Sequence, residues 1–263
     1  MSVSNQQTPA LHAGVIFPLT GNKFHYTGTS NYAKKRALIA YVKFMQPTEP
    51  AIPTFTEELY DNIADQLVEQ GYAIIRRGFD PSLLMQLNQR VQGLDDGDFQ
   101  QAGIGRGDDN QLNETIRTDS IRWLTHSNGA ECQFLQCMEG LRIALNRRLF
   151  MGLFDYECHF AHYAPGDFYK RHLDAFRGRT NRVLSAVLYL NHEWQDDDGG
   201  ELLMYERKQK QPLLSLRPEY GTMIIFLSER FPHEVLAAKR DRYSIAGWFR
   251  VNNSLGDVID PAR

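Results

Sequence analysis

The chain has 263 residues, 42% of them hydrophobic and 11% aromatic, with a formal charge of -3. That composition can bury one substantial core and excludes wholesale disorder, and the slight acidity without any dense Lys/Arg block argues against a nucleic-acid partner. No run approaches the roughly 18 apolar residues that cross a bilayer, and MSVSNQQTPALHAG lacks a basic end followed by an apolar stretch; the reading is a cytoplasmic protein with no membrane segment. Cys132, Cys137 and Cys158 are odd in number and lack C-x-x-C spacing, so they predict neither a disulfide framework nor a thiolate zinc site and read as buried small hydrophobes.

Residues 1–53 mix polar, Gly, Pro and aromatic residues up to QPTEPAIP and read as an irregular arm or accessory segment. Within it Leu38, Tyr41 and Val42 are spaced for a short helix over 33–44. A clearer helix follows: Thr54 and Glu57 form a capping box, Leu59, Ile63 and Leu67 recur every four residues, and Gly71 stops it. The apolar YAII at 72–75 is a strand. Asp80-Pro81 starts a second helix with Leu83, Leu84, Leu87 and Val91 on one face. From about 95 to 113 the chain is rich in Gly, Asp and Gln, a solvated loop of the kind that serves as a lid. A third helix is capped by Asn128 with Glu131, and its apolar stripe runs Phe134, Met138, Leu141, Leu145 and Leu149. Residues 54–155 therefore read as a helical support region.

From Tyr156 to 251 the period shortens to β runs: YECHFAHY, FYKRHLD, VLSAVLYL, ELLMY, LLSL, TMIIFL and YSIAGWFR, separated by turns such as DDDGG; residues 252–263 are a tail. No internal repeat supports a propeller or solenoid. The fold class is α+β, with helices supporting a jelly-roll-like β core.

Within that core, His172 and Asp174 stand two apart on an expected strand and point to one face. His233, after the strand TMIIFL, would complete a two-His-one-carboxylate triad, which leaves coordination positions open for a bidentate oxo-acid and dioxygen; a closed structural zinc site does not. An isolated H-x-D is a common accident, so the strand setting and the later His carry the weight. Arg242, nine residues after His233, offers a planar fork for a distal carboxylate, with Arg240 as a competitor decided by register. Tyr163 and Tyr189 could hydrogen-bond the same molecule or serve only packing. Trp248 reads as core, His159 and His162 as ordinary polar residues on opposite faces, and His192 as solvated.

The runs YAPGDFYKRHLD, SAVLYLNHEW, GGELLMY, FLSERFPHEV and RYSIAGWF, in this order and spacing, resemble the prolyl 4-hydroxylase branch of the Fe(II)/2-oxoglutarate-dependent dioxygenases. Upstream, LVEQGYAIIRRGFDPSLLMQLNQRV and IRTDSIRWL resemble the helix, strand and R-x-D-x-x-x-W segment of their oxygen-sensing type, the HIF prolyl hydroxylases; the likeness covers about residues 57 to 251. It implies a double-stranded β-helix core, jelly-roll or cupin-like. It implies Fe(II) on His172, Asp174 and His233, and 2-oxoglutarate gripped by Arg242 with Tyr163 and Tyr189. It further implies that O2 splits the oxo-acid to succinate and CO2 while an unactivated C–H bond is hydroxylated, with ascorbate supporting turnover. The implied substrate is a prolyl residue of a protein or peptide. A free amino acid or other small molecule is the alternative, and a non-catalytic metal-binding or ligand-sensing barrel the reading from another class. Asp174 argues against halogenation, since it occupies the position a halide would need. Ala246 stands where the resemblance implies a hydroxyl residue, a departure from the family pattern.

Overall fold

A computed structural model describes residues 55–103, 115–175 and 181–252. The arm, the helix expected at 33–44, residues 104–114 of the expected lid and the tail beyond 252 lie outside the described residues.

Among the described residues three α-helices form where apolar spacing and caps coincide: α1 (Glu57–Glu69), α2 (Pro81–Gln92) and α3 (Gly129–Leu149). The cap of α1 is Thr56, not Thr54: its hydroxyl accepts from the Leu59 amide at 3.1 Å. Phe55 just ahead of it packs on Tyr60 with ring centroids 5.9 Å apart, a hydrophobic staple that fixes where the helix starts. That start buries Tyr60, Ile63, Ala64 and Leu67, spaced i, i+3, i+4 and i+7. Asp80 caps α2 and Asn128 caps α3, as the sequence predicts. Glu131 does not complete a capping box. Its fully buried carboxylate instead accepts from Arg90 Nε of α2, from Arg122 Nη1 and from the Thr125 amide, each at 2.9 Å, which ties α2, α3 and the sheet together.

The strands are β1 (Tyr72–Arg76), β2 (Gln100–Gln101), β3 (Ser120–Trp123), β4 (Leu153–Tyr163), β5 (Tyr169–His172), β6 (Arg182–Tyr189), β7 (Leu202–Met204), β8 (Leu214–Leu216), β9 (Thr222–Leu227), β10 (His233–Val235) and β11 (Arg242–Val251). All seven expected runs are present. β2, β3 and β10 are additional; each has two to four residues, too few for a period to register in the sequence. The strands form two antiparallel sheets, a seven-stranded one in the order β1-β9-β6-β11-β4-β3-β2 and a four-stranded one in the order β5-β10-β7-β8. The N-terminal half is thus not only a helical support: β1, β2 and β3 belong to the larger sheet. Among the described residues no helix is long and apolar enough to cross a membrane.

The larger sheet has two different faces. Tyr156, Cys158 and Phe160 of β4, Leu184 and Leu188 of β6, and Ile245 and Phe249 of β11 pack in one cluster with Phe134, Met138 and Leu141 of α3. The alternate residues face the smaller sheet, where Tyr189, Ile224 and Phe226 meet Leu202, Met204 and Leu216. At one end this inner face closes in an ion ladder. Arg250 Nε donates to Asp155 at 2.8 Å, a second nitrogen of Arg250 lies 3.6 Å from Glu157, and Arg182 donates to Glu157 at 3.0 Å. Arg250 is 1% exposed.

Removing that guanidinium takes a cation away from buried Asp155 and leaves Glu157 still paired with Arg182. Arg250→Leu is expected to cost about 3–5 kcal/mol of unfolding free energy in urea denaturation, with part recovered when Asp155→Asn is added.

Candidate active site

Between the two sheets lies a cavity of about 240 Å³ whose wall includes His172, Asp174, His233, Arg242 and Tyr163. His172 ends β5 and His233 opens β10, and the two are registered neighbours across that antiparallel pair. The strand stops at His172, so Asp174 stands on the bend beyond it rather than on the strand that sequence alternation predicts. Its carboxylate nonetheless converges: Oδ1 lies 3.6 Å from His172 Nε2, and Oδ2 lies 3.6 Å from His233 Nε2. One ligand atom from each residue falls within 4.8 Å of the others.

Hydrogen bonding orients these donors for a metal. His172 Nδ1 bonds the Lys170 carbonyl at 2.8 Å and His233 Nδ1 bonds the Phe231 carbonyl at 3.1 Å. A carbonyl only accepts, so both Nδ1 atoms carry the proton and both Nε2 lone pairs face the cluster. Burial and then the neighbouring His172 push His233 down to about 4, which leaves its ring neutral at physiological pH. Burial works to raise the Asp174 carboxyl, but His233, His172 and the Ser185 hydroxyl outweigh it and hold the group well below the usual carboxylate range. Two imidazole Nε2 atoms and one carboxylate are the donor set that suits a divalent ion such as Fe(II) with positions left open.

Arg242, the first residue of β11, is 1% exposed, whereas Arg240 is exposed, so register selects Arg242. Among the described residues no carboxylate lies within ion-pair distance of it. Its Nε donates to the Gly200 carbonyl at 2.9 Å, and the guanidinium lies beside the Tyr189 hydroxyl. Gly200 has φ +71, and a Cβ there would come within 3.1 Å of the Arg242 side chain and 3.2 Å of Trp194, so any other residue is strained there. Trp194 Nε1 in turn holds the Gly199 carbonyl at 2.9 Å. The guanidinium carbon sits 4.9 Å from the ring centre of Tyr163 and 5.2 Å from that of Tyr189. Tyr163 lines the cavity; Tyr189 packs instead with Leu202, Met204 and Phe226, its buried hydroxyl beside the Arg242 guanidinium. Burial holds Tyr163 well above the ordinary phenol range and pushes Tyr189 up to about 12, so both keep their protons.

The cavity also uses residues that sequence reasoning missed or misplaced. Trp248 and His159 are wall residues, not plain core and ordinary polar surface. Alternation explains both: Trp248 shares a face with Arg242, Ser244 and Ala246, and His159 shares one with Ala161 and Tyr163, Ala246 being registered opposite His159. His162 does point the other way, stacked on Tyr243 at 4.6 Å. His192 is exposed, as expected. Arg117 and Asp119, the first two members of R-x-D-x-x-x-W, form a two-point pair at 2.8 and 2.6 Å. Arg117 lies 4.3 Å from the ring centre of Tyr169, and that ring stacks on His172 at 3.5 Å between centroids. The motif was visible in the sequence, but its partner Tyr169 lies fifty residues on and carries no local signal.

Comparison with known proteins places this geometry. Residues 158–250 match the model of the 2OG-Fe(II) oxygenase superfamily. Egl nine homolog 1 of Rattus norvegicus is 32% identical over 85 residues, which are 32% of this chain and 25% of that protein, so the chain spans about a quarter of the length of this curated relative. A prolyl hydroxylase from Trichoplax adhaerens, solved with a hypoxia-inducible factor peptide fragment, is 28% identical with a TM-score of 0.65, covering 74% of this chain and 90% of that one. A crystal structure of a Pseudomonas putida prolyl-4-hydroxylase is 39% identical with a TM-score of 0.66, covering 73% of this chain and 98% of that one. With likeness of that extent, and with the matched superfamily segment running through His172, Asp174, His233 and Arg242, the chain belongs to the 2OG-Fe(II) oxygenase superfamily.

Proposed function

We propose that this protein hydroxylates a prolyl residue of a protein or peptide, using Fe(II) held by His172, Asp174 and His233 and 2-oxoglutarate anchored by Arg242. The observation that carries the reading is the pairing, in one cavity, of a His/Asp/His cluster with a buried guanidinium that lacks a carboxylate partner among the described residues. A buried cation without a counter-charge is costly, and a ligand carboxylate relieves that cost. A molecule with one end suited to a metal and a carboxylate at the other meets both requirements. Relatives described as prolyl hydroxylases, one of them solved with a peptide, support the choice of substrate class.

Bound iron with 2-oxoglutarate and O2 supplies the oxidising power for hydroxylating an unactivated C–H bond, the co-substrate leaving as succinate and CO2. The chain's own residues do the rest. The terminal nitrogens of Arg242 bind the distal carboxylate in a fork that lysine cannot reproduce. The protonated Tyr163 hydroxyl faces the same cavity as a donor. Trp123, Tyr169 and Trp248 line the remaining wall with aromatic surface that excludes water and accepts an apolar ring. Ser185 and Ser244 give the wall hydroxyls where Ala246 has none.

Anaerobic addition of Fe(II) and 2-oxoglutarate to the metal-free protein is expected to give a visible charge-transfer band that His172→Ala lacks; a folded, unaltered protein without the band sinks the proposal. Arg242→Lys is expected to raise the KM for 2-oxoglutarate by roughly 10- to 100-fold, the loss of a two-point charge-assisted contact, while metal affinity stays unchanged. With prolyl peptides, succinate release is expected to rise in step with a mass gain of one oxygen on the peptide. Stimulation by free proline and not by peptides would point to the small-molecule reading instead.

A further inference from the structure

Asp174 stands beyond the end of β5, where no sheet ladder fixes its backbone, yet its carboxylate is well placed between two imidazoles. Two hydroxyls from the opposite wall hold it. Ser185 Oγ lies 2.6 Å from Asp174 Oδ2, and Ser228 Oγ lies 2.9 Å from Ser185 Oγ. Both serines are buried, at 1% and 0% exposure. Chemistry sets the direction of this chain. An ionised carboxylate only accepts, so Ser185 donates its single proton to Asp174; Ser185 Oγ can then only accept from the second serine, so Ser228 donates to Ser185. Hydroxyls in series polarise one another, which strengthens the terminal bond to the carboxylate. The backbone fixes the donors in turn. Ser185 lies mid-strand in β6, and the Ser228 amide bonds the Val183 carbonyl at 3.0 Å, two residues from Ser185.

We propose that the Ser185–Ser228 pair is the positioning device for Asp174. It fixes the rotation of the carboxylate so that each oxygen sits beside one imidazole, and it joins a ligand carried by the smaller sheet to the larger one. The inference rests on the reading of His172, Asp174 and His233 as metal ligands. Neither serine need touch the metal; both act through Asp174.

The test is titration of metal-free protein with Co(II), followed by its visible absorption, a readout independent of turnover. Ser185→Ala is expected to weaken Co(II) binding by about 10- to 100-fold, the usual effect of losing a partner behind a ligand. Ser228→Ala is expected to weaken it by a smaller factor, since Ser185 still donates but is no longer polarised. Ser185→Thr keeps the hydroxyl and is expected to keep the affinity. Unaltered Co(II) affinity in Ser185→Ala, alongside loss of binding in Asp174→Ala, overturns the positioning role while leaving the ligand set standing. Unaltered affinity in Asp174→Ala overturns the ligand set and the proposal with it. Should Ser185→Ala fail to fold by circular dichroism, Ser228→Ala decides: unchanged affinity there overturns the pair.

Discussion

Three neighbouring strands, β4, β11 and β6, must satisfy two incompatible environments along their whole length, and the period-two alternation of β side chains is what lets them. One set of residues packs on the helices; the next residue in each case faces the smaller sheet. Every chemical feature of the cavity depends on that division. Arg242, Ser244, Ala246 and Trp248 of β11 line the cavity because Tyr243, Ile245 and Phe249 are committed to the other side. A register slip of one residue would send the guanidinium into the helix interface and bring phenylalanine and isoleucine to the wall shared with His172, Asp174 and His233. The helices are therefore more than supports: by burying one face of these strands, they set which face is left for chemistry.

Charge is handled by the same economy of placement. Glu131, Asp155, Glu157 and Arg250 are nearly inaccessible, and each meets an opposite charge across two or more elements. These pairs link α2, α3, β3, β4, β6 and β11 and require the elements to dock in one arrangement. Arg242 is equally buried and stands apart from them; among the described residues a carbonyl and two aromatic rings steady it. Among the described residues the other buried charges are paired, and a guanidinium without a carboxylate at ion-pair distance is what supports the proposed binding role of Arg242.

Much of this was legible before any coordinates. The long helices show themselves because caps and four-residue spacing agree, and β4, β6, β9 and β11 because their strand pattern persists over enough residues to register; β5, β7 and β8 are as short as β3 or β10 and show only as apolar runs between turns. His172, Asp174, His233 and Arg242 stood out as residue types at meaningful separations. What stayed hidden was long-range or very short. β2, β3 and β10 are too brief to carry a period, and Glu131 looks like an ordinary capping residue until Arg90 and Arg122 arrive from other elements. Thr54 and Thr56 are equally good caps in isolation; Phe55 against Tyr60 decides between them. His159 and Trp248 looked bland because facing is set by pairing with partners distant in sequence.

The turn DDDGG before β7 has a consequence for how this chain can change over time. Tight surface turns are ordinarily where a lineage gains and loses residues at little cost. Here the tip of the turn is a structural gauge: Gly199 is held by Trp194, Gly200 touches Arg242, and a shift of one residue in either direction replaces the carbonyl that steadies the guanidinium. An insertion or deletion that a loop would normally absorb would at this corner displace the carbonyl to which Arg242 donates, so the length of the turn is coupled to the placement of the guanidinium.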